Sequence, residues 1–70
     1  MHVEVIFLEP GNHREIWQSA DMTIIPRVGE NMWLPNISST VFTVHEVQHV
    51  YVGERHNPKR HNYIRIFVKQ

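Results

Sequence analysis

The clearest alternation of polar and apolar side chains in the chain is Tyr63-Ile64-Arg65-Ile66-Phe67-Val68-Lys69. Successive residues of a β-strand point to opposite faces, so Ile64, Ile66 and Val68 share one face and predict contact with a hydrophobic core. The opposite face carries four residues that we call the aromatic–basic stripe: Tyr63, Arg65, Phe67 and Lys69. The pattern therefore predicts a final strand with one apolar face toward the core and an opposite face that is a candidate binding surface.

The N-terminal third of the chain predicts a hairpin. Residues 2–9 alternate as a strand, and Glu9-Pro10-Gly11-Asn12 has proline and glycine where a tight turn needs them. The next segment, 13–25, is ambiguous, because Asn12 and Glu15 could also cap a short helix. A Pro-Gly turn usually returns the chain as a paired strand, which favours a strand with a break or bulge near 19–21.

The longest strand-like run, 40–52, has apolar residues of both parities. Even positions hold Phe42, Val44, Val50 and Val52, whereas Val47 is odd. A flat strand cannot bury all five on one face, so we predict a bulge or sharp bend near His45 and Glu46.

Shorter segments complete the layout. Asn31–Leu34 predicts a short strand with Met32 and Leu34 inward and Trp33 outward, or the reverse. In the preceding loop, Gly29 is expected to supply backbone freedom and Pro26 to end a strand formed by residues 22–25. Turn chemistry follows at 35–39, and residues 53–62 form a long polar loop.

These elements predict an all-β fold in a single domain, residues 1–70. The expected architecture is a five-stranded antiparallel meander curled into a partly open, SH3-like barrel, because curling buries the apolar face of so small a sheet. The expected core consists of Val5, Phe7, Met32, Phe42, Val44, Ile64, Ile66 and Val68.

Composition narrows the function classes. Seven Lys and Arg balance seven Asp and Glu, which disfavours a polyanion binder driven by net charge. The absence of cysteine excludes disulfides and thiol chemistry. The N-terminus lacks the basic start and long apolar segment of a signal peptide or membrane span, so we expect a cytoplasmic protein that does not bind membranes.

Part of the chain resembles a known group of proteins. The quoted elements are Ile25-Pro26-Arg27-Val28-Gly29-Glu30, Met32-Trp33-Leu34, Phe42-x-Val44-x-x-Val47-x-His49-x-Tyr51 and Ile64-x-Ile66-x-Val68. This layout, over residues 22–69, is similar to that of uncharacterised small SH3-like β-barrel proteins of bacteria, phages and mobile elements, including integron gene cassettes. The resemblance implies no activity, and the 53–62 loop is longer than the turn expected there.

The sequence offers little catalytic chemistry. His45 and His49 are four residues apart, which on a strand separates them by about 13 Å, too far to share one metal ion. His56 and His61 flank a loop proline without an obvious third ligand. Serines 38 and 39 lack a nucleophile motif, and the domain has little room for a substrate cleft of about 300 Å³. We therefore expect no enzyme, metal, cofactor or small-molecule substrate.

The aromatic–basic stripe is the candidate binding surface, and Arg55, Lys59 and Arg60 could extend it. Such a surface can form the dry centre of a contact with another copy or another protein. It could instead stack and neutralise a single-stranded nucleic acid. Zero net charge favours the first hypothesis, a homo-oligomer or protein-binding module. Trp17 and Trp33 either add to that contact or lie in the core.

Overall fold

The computed structural model describes residues 1–52 and 61–70, and this part of the chain contains five β-strands and no helix. The strands are β1 (Val3–Glu9), β2 (Asn12–Ser19), β3 (Asn31–Met32), β4 (Phe42–Val50) and β5 (Tyr63–Lys69). They form one sheet that curls into a half-barrel. The predicted all-β, partly open barrel is thus confirmed.

The order of strands in the sheet is β2-β1-β5-β4-β3. β1 lies between β2 and β5, and its pairing with β5 is parallel, with Val3 beside Ile64 and Phe7 beside Val68. The sheet is therefore mixed, and the prediction of a purely antiparallel meander is wrong at this pair. The three other pairs are antiparallel, as expected for strands joined in sequence order.

The N-terminal hairpin forms as predicted. Glu9 pairs with Asn12 across Pro10 and Gly11, and Gly11 has the positive φ of 74° that the third position of such a turn favours. Residues 12–19 form a strand rather than the alternative helix, and the strand ends at Ser19, where a break was predicted. The β1–β2 register also shifts between Val5 and Ile6, so β2 carries one extra residue there.

The predicted bulge in β4 is present. The register with β5 runs from Val44, which pairs with Val68, directly to Glu46, which pairs with Phe67. His45 is therefore the extra residue. The bulge brings Val47 to the side of Val44, while Val50 is placed opposite Tyr63 on the other side of the sheet.

One face of the sheet, the inner face, carries the core. Seven of the eight predicted core residues are buried, and Val3 joins them. Phe7 is only half-buried, with its ring edge-to-face on Phe42 at a centroid distance of 5.5 Å. Residues 20–41 supply Met22, Ile25 and Leu34 to the same cluster. The predicted strand at 22–25 does not form; its apolar side chains pack against the core without joining the sheet.

A tight turn leads into β3. The Glu30 N–H donates to the Arg27 carbonyl at 3.0 Å, and Gly29 between them has a φ of 91°. The same glycine donates its N–H to the Val44 carbonyl at 2.8 Å, which ties the turn to β4. Gly29 thus supplies the backbone freedom predicted for it. Beyond the turn, Met32 is buried and Trp33 exposed, the first of the two predicted orientations.

Candidate functional site

The candidate site lies on the outer face of the sheet, which is opposite the core. The stripe on β5 forms rows with its neighbours across the strands. Arg65 stands beside Glu4 of β1 and Gln48 of β4. Phe67 stands beside Ile6 of β1 and Glu46 of β4. The stripe is therefore the central column of this face, because β5 is the middle strand of the sheet.

Tyr63 occupies the buried end of the stripe, with 7% of its surface exposed. The His2 ring meets it edge-to-face at a centroid distance of 6.0 Å, and the Arg65 guanidinium lies 5.5 Å from its ring centroid. Both geometries are favourable for an aromatic ring, the second as a cation–π contact. Tyr63 therefore orders the outer face and offers little ring surface to a ligand.

Arg65 is engaged by an acidic neighbour. Its Nε donates to Glu4 Oε1 at 3.3 Å, and Glu4 Oε2 lies 3.5 Å from His2 Nε2. Glu4 is mostly buried beneath these groups, which limits the competition from water. The Arg65 guanidinium group thus already contacts a carboxylate and an aromatic ring of the same chain, which are two groups that guanidinium commonly binds.

Phe67 is the accessible apolar centre of the face. It lies directly beside Ile6 on β1, and Leu8 follows on the same side of that strand. All three are only half-buried. We call Ile6, Leu8 and Phe67 the outer apolar patch. Lys69 is exposed at the end of β5, opposite Thr43, and makes no ion pair within the described residues.

An open cleft of about 910 Å³ begins at Phe67 and Leu8. Its walls come from the β1–β2 hairpin through His13 and from the β4 bulge through His45 and Glu46. Glu46 accepts a 2.7 Å hydrogen bond from the Gln48 amide. The bulge and the hairpin stand on either side of the central strands, so the space between them is a broad depression open to solvent rather than an enclosed substrate cleft.

The outer face carries charges of both signs. Glu4, Glu15 and Glu46 share it with Arg65 and Lys69, by their positions in the strand registers. Such a mixture fits a contact with a surface of mixed charge better than contact with a polyanion. The predicted basic extension, Arg55, Lys59 and Arg60, lies outside the described residues.

A second surface was not singled out from the sequence. A groove of about 490 Å³ is lined by Trp17 of β2 and by Met32, Trp33 and Leu34 at β3, with Ile24 of the intervening segment. We call it the seam groove, because β2 and β3 are the two edge strands of the half-barrel. Trp33 is 61% exposed and Ile24 81%. The signal in the sequence that could have indicated this groove was the pair of tryptophans. From the sequence alone, they were expected either in a contact surface or in the core.

The comparisons with known proteins leave the function to the geometry. No protein-family model matches the chain, and no curated protein or solved structure gives a significant match. The described part of the chain contains no apolar helix of membrane-spanning length. Within residues 1–52 and 61–70, no three His, Asp or Glu side chains converge as a metal site would need. The resemblance to small SH3-like proteins therefore stays a prediction.

Proposed function

We propose that the protein is a non-enzymatic binding module that self-associates through its outer face. The observation that carries the proposal is the outer apolar patch, which stands half-exposed at the centre of a sheet face. No described element packs over it, whereas residues 20–41 cover the inner face. A β-sheet with one apolar side uncovered gains stability when a second layer covers it.

The size of the face supports a weak dimer. Strands β2, β1, β5 and β4 at a spacing of ~4.8 Å, each ~23 Å long, give a projected face of about 400 Å². That is about half of the ~800 Å² per partner that a standard interface buries, which places the contact among weak interfaces. Only three apolar side chains contribute at the centre, so we expect micromolar dissociation rather than tighter binding.

The charges suit a two-fold arrangement. A two-fold axis places the same surface on both sides of the contact, so a self-complementary surface needs both signs of charge. Glu46 beside Phe67 and Lys69 at the end of the stripe provide them. The cleft beside Phe67 gives room for side chains of the opposing copy.

Single-stranded nucleic acid, the alternative, has less support from the described residues. A stacking platform needs accessible rings, and Tyr63 is 7% exposed. A phosphate track needs free cations, and Arg65 is engaged by Glu4. Titration of fluorescent single strands at low salt tests this alternative, and we expect no binding.

The test of self-association is sedimentation equilibrium of the parent and of Phe67→Glu up to high micromolar concentration. We expect a monomer–dimer equilibrium in the parent. The variant should be monomeric, because the new carboxylate would have to be desolvated without a partner in the interface. Circular dichroism checks that the variant keeps its fold.

Two further variants control for general effects. Trp33→Glu introduces the same charge at an exposed aromatic residue away from the outer face, and it should dimerise like the parent. Phe67→Leu keeps an apolar side chain and should retain most of the association. A parent that stays monomeric at high micromolar concentration would reject self-association, whatever the variants do, and would leave another protein as the occupant of this face.

A further inference from the structure

The seam groove has a chemistry that the outer face lacks. Its walls are mostly apolar, with both of the chain's tryptophans among the lining residues and Glu30 and Asn31 as the polar ones. Trp33 and Ile24 are the most prominent, and each exposes well over half of its surface. Large apolar side chains exposed together are costly in water, and such clusters commonly mark binding surfaces.

One wall of the groove is an unpaired strand edge. The Val44 N–H donates to the Glu30 carbonyl, and the Gly29 N–H donates to the Val44 carbonyl, each at 2.8 Å. Bonded and non-bonded pairs alternate along an antiparallel ladder, so the next pair, Asn31 with Thr43, is a non-bonded one. The backbone N–H and C=O of Asn31 therefore point away from β4, at a residue that lines the groove.

The groove carries one ionisable side chain among its described lining residues, Glu30. One of its carboxylate oxygens accepts the N–H of Arg27, which fixes the carboxylate at the turn before β3. The other oxygen makes no hydrogen bond within the described residues, and Glu30 as a residue is exposed. A bound segment that places a basic side chain there would gain a charge-assisted hydrogen bond.

We infer that the seam groove binds an extended, apolar and basic peptide segment of another protein by strand addition along the edge of β3. The backbone groups of Asn31, which have no partner among residues 1–52 and 61–70, select an extended backbone. The tryptophans select apolar side chains at alternate positions, and Glu30 selects Lys or Arg. A proline-rich ligand fits less well, because proline has no N–H to donate to the free carbonyl. This surface is separate from the outer apolar patch.

The test begins with a phage-displayed library of random decapeptides selected on the parent protein. The enriched peptides should alternate apolar residues with Lys or Arg and lack proline in that stretch. A synthetic copy of the leading peptide should change the intrinsic tryptophan fluorescence, because Trp17 and Trp33 both line the groove. Calorimetry then gives its Kd for each variant.

Four changes separate the parts of the inference. Trp33→Ala should raise the Kd at least about tenfold, as loss of an aromatic anchor does. Tyr51→Ala, a control at a residue that is 79% exposed and outside the groove, should leave it unchanged. Glu30→Gln can still accept the Arg27 N–H, and it should weaken binding several-fold. N-methylation of alternate amides in the peptide should weaken it at least as much as Trp33→Ala.

Each contrary result overturns the inference. Failure to enrich any peptide, or enrichment of acidic or proline-rich ones, would do so. Full binding by the N-methylated peptide would exclude strand addition, and full binding by Trp33→Ala would exclude the groove. If Trp33→Ala instead abolished dimerisation, the occupant would be a second copy of this chain. Because Phe67→Glu leaves the groove intact, its peptide binding tests this inference independently of self-association.

Discussion

At the scale of single residues, the two aromatic side chains of the stripe differ in exposure, which the sequence could not show. Tyr63 and Phe67 have the same parity on β5, so alternation predicts equal exposure. Their neighbours differ: Tyr63 is flanked by His2 and Arg65, whereas Phe67 stands between Ile6 and Glu46. The register with β1 creates this difference, and no local pattern encodes it. Tyr63 is thus buried among its neighbours, whereas Phe67 keeps part of its ring exposed.

Gly29 carries a prediction of its own. Its φ of 91° is one that L side chains rarely adopt, and an added Cβ would meet no atom within 4 Å. The penalty for a side chain there is therefore conformational rather than steric. Gly29→Ala should lower the free energy of unfolding by about 1–2 kcal/mol.

Urea denaturation monitored by circular dichroism measures that loss. Gly29→Asn is the matched variant, because asparagine tolerates positive φ better than alanine, and it should lose less. An alanine variant as stable as the parent would mean that the turn from Arg27 to Glu30 relaxes without cost.

At the scale of elements, β4 shows what the alternation of apolar residues can and cannot predict about a strand. Mixed parity in its apolar residues predicted a bulge near His45, and the register shift is there. The physical reason is strong, since a sheet cannot bury both parities on one face without an extra residue. The bulge does not bring all five apolar residues to one face, because it places Val47 on the inner face but Val50 beside Tyr63 on the outer face.

The bulge makes a testable prediction about deletions. Removal of His45 joins Val44 to Glu46 and leaves a regular alternation, with Val44 and Val47 still inward. This deletion should fold and cost less than about 2 kcal/mol, mainly through lost curvature. Removal of Thr43 instead forces Phe42 or Val44 to the outer face, at a cost of about 3–5 kcal/mol if the buried ring of Phe42 is lost.

Amide proton NMR spectra and urea denaturation compare the two deletions. The Thr43 deletion should be largely unfolded, because such a loss takes up most of the stability of a small domain. Equal damage from both deletions would mean that curvature at His45, rather than alternation, holds β4 in place.

Two features of the fold could not be predicted from the sequence, and for the same reason. Met22–Ile25 has strand composition, yet it covers the core as an irregular segment, held at Met22 by a 3.0 Å hydrogen bond from its N–H to the Met1 carbonyl. The parallel pairing of β1 with β5 joins the two ends of the chain. Both depend on contacts between distant residues, whereas alternation reports only on which face a side chain takes. The seam groove could not be predicted either, because its lining residues come from distant parts of the sequence.

At the scale of the whole molecule, the outer apolar patch and the seam groove both result from the half-barrel form of the sheet. Within residues 1–52 and 61–70, the half-barrel covers its inner face with the segment between β2 and β4 and leaves its outer face and two edge strands uncovered. The sequence has no cysteine, so no disulfide stabilises this small sheet. Association through the outer face would supply part of that stability, and the seam would remain available to a different partner.

The last prediction joins assembly to stability. A protein that is folded as a dimer and unfolds to separate chains becomes more stable as its concentration rises. With an unfolding enthalpy of about 0.7 kcal/mol per residue in each of two chains, each tenfold rise in concentration should raise the Tm by about 5 °C while dimers predominate. Calorimetric scans of the parent over the concentrations used for sedimentation should show this rise. Phe67→Glu should show a Tm that does not change with concentration, and Trp33→Glu should behave like the parent. Aggregation lowers rather than raises an apparent Tm as concentration increases, so the sign of the shift distinguishes the two processes. A parent Tm that is constant over this range would show that the folded chain receives no stability from a second copy.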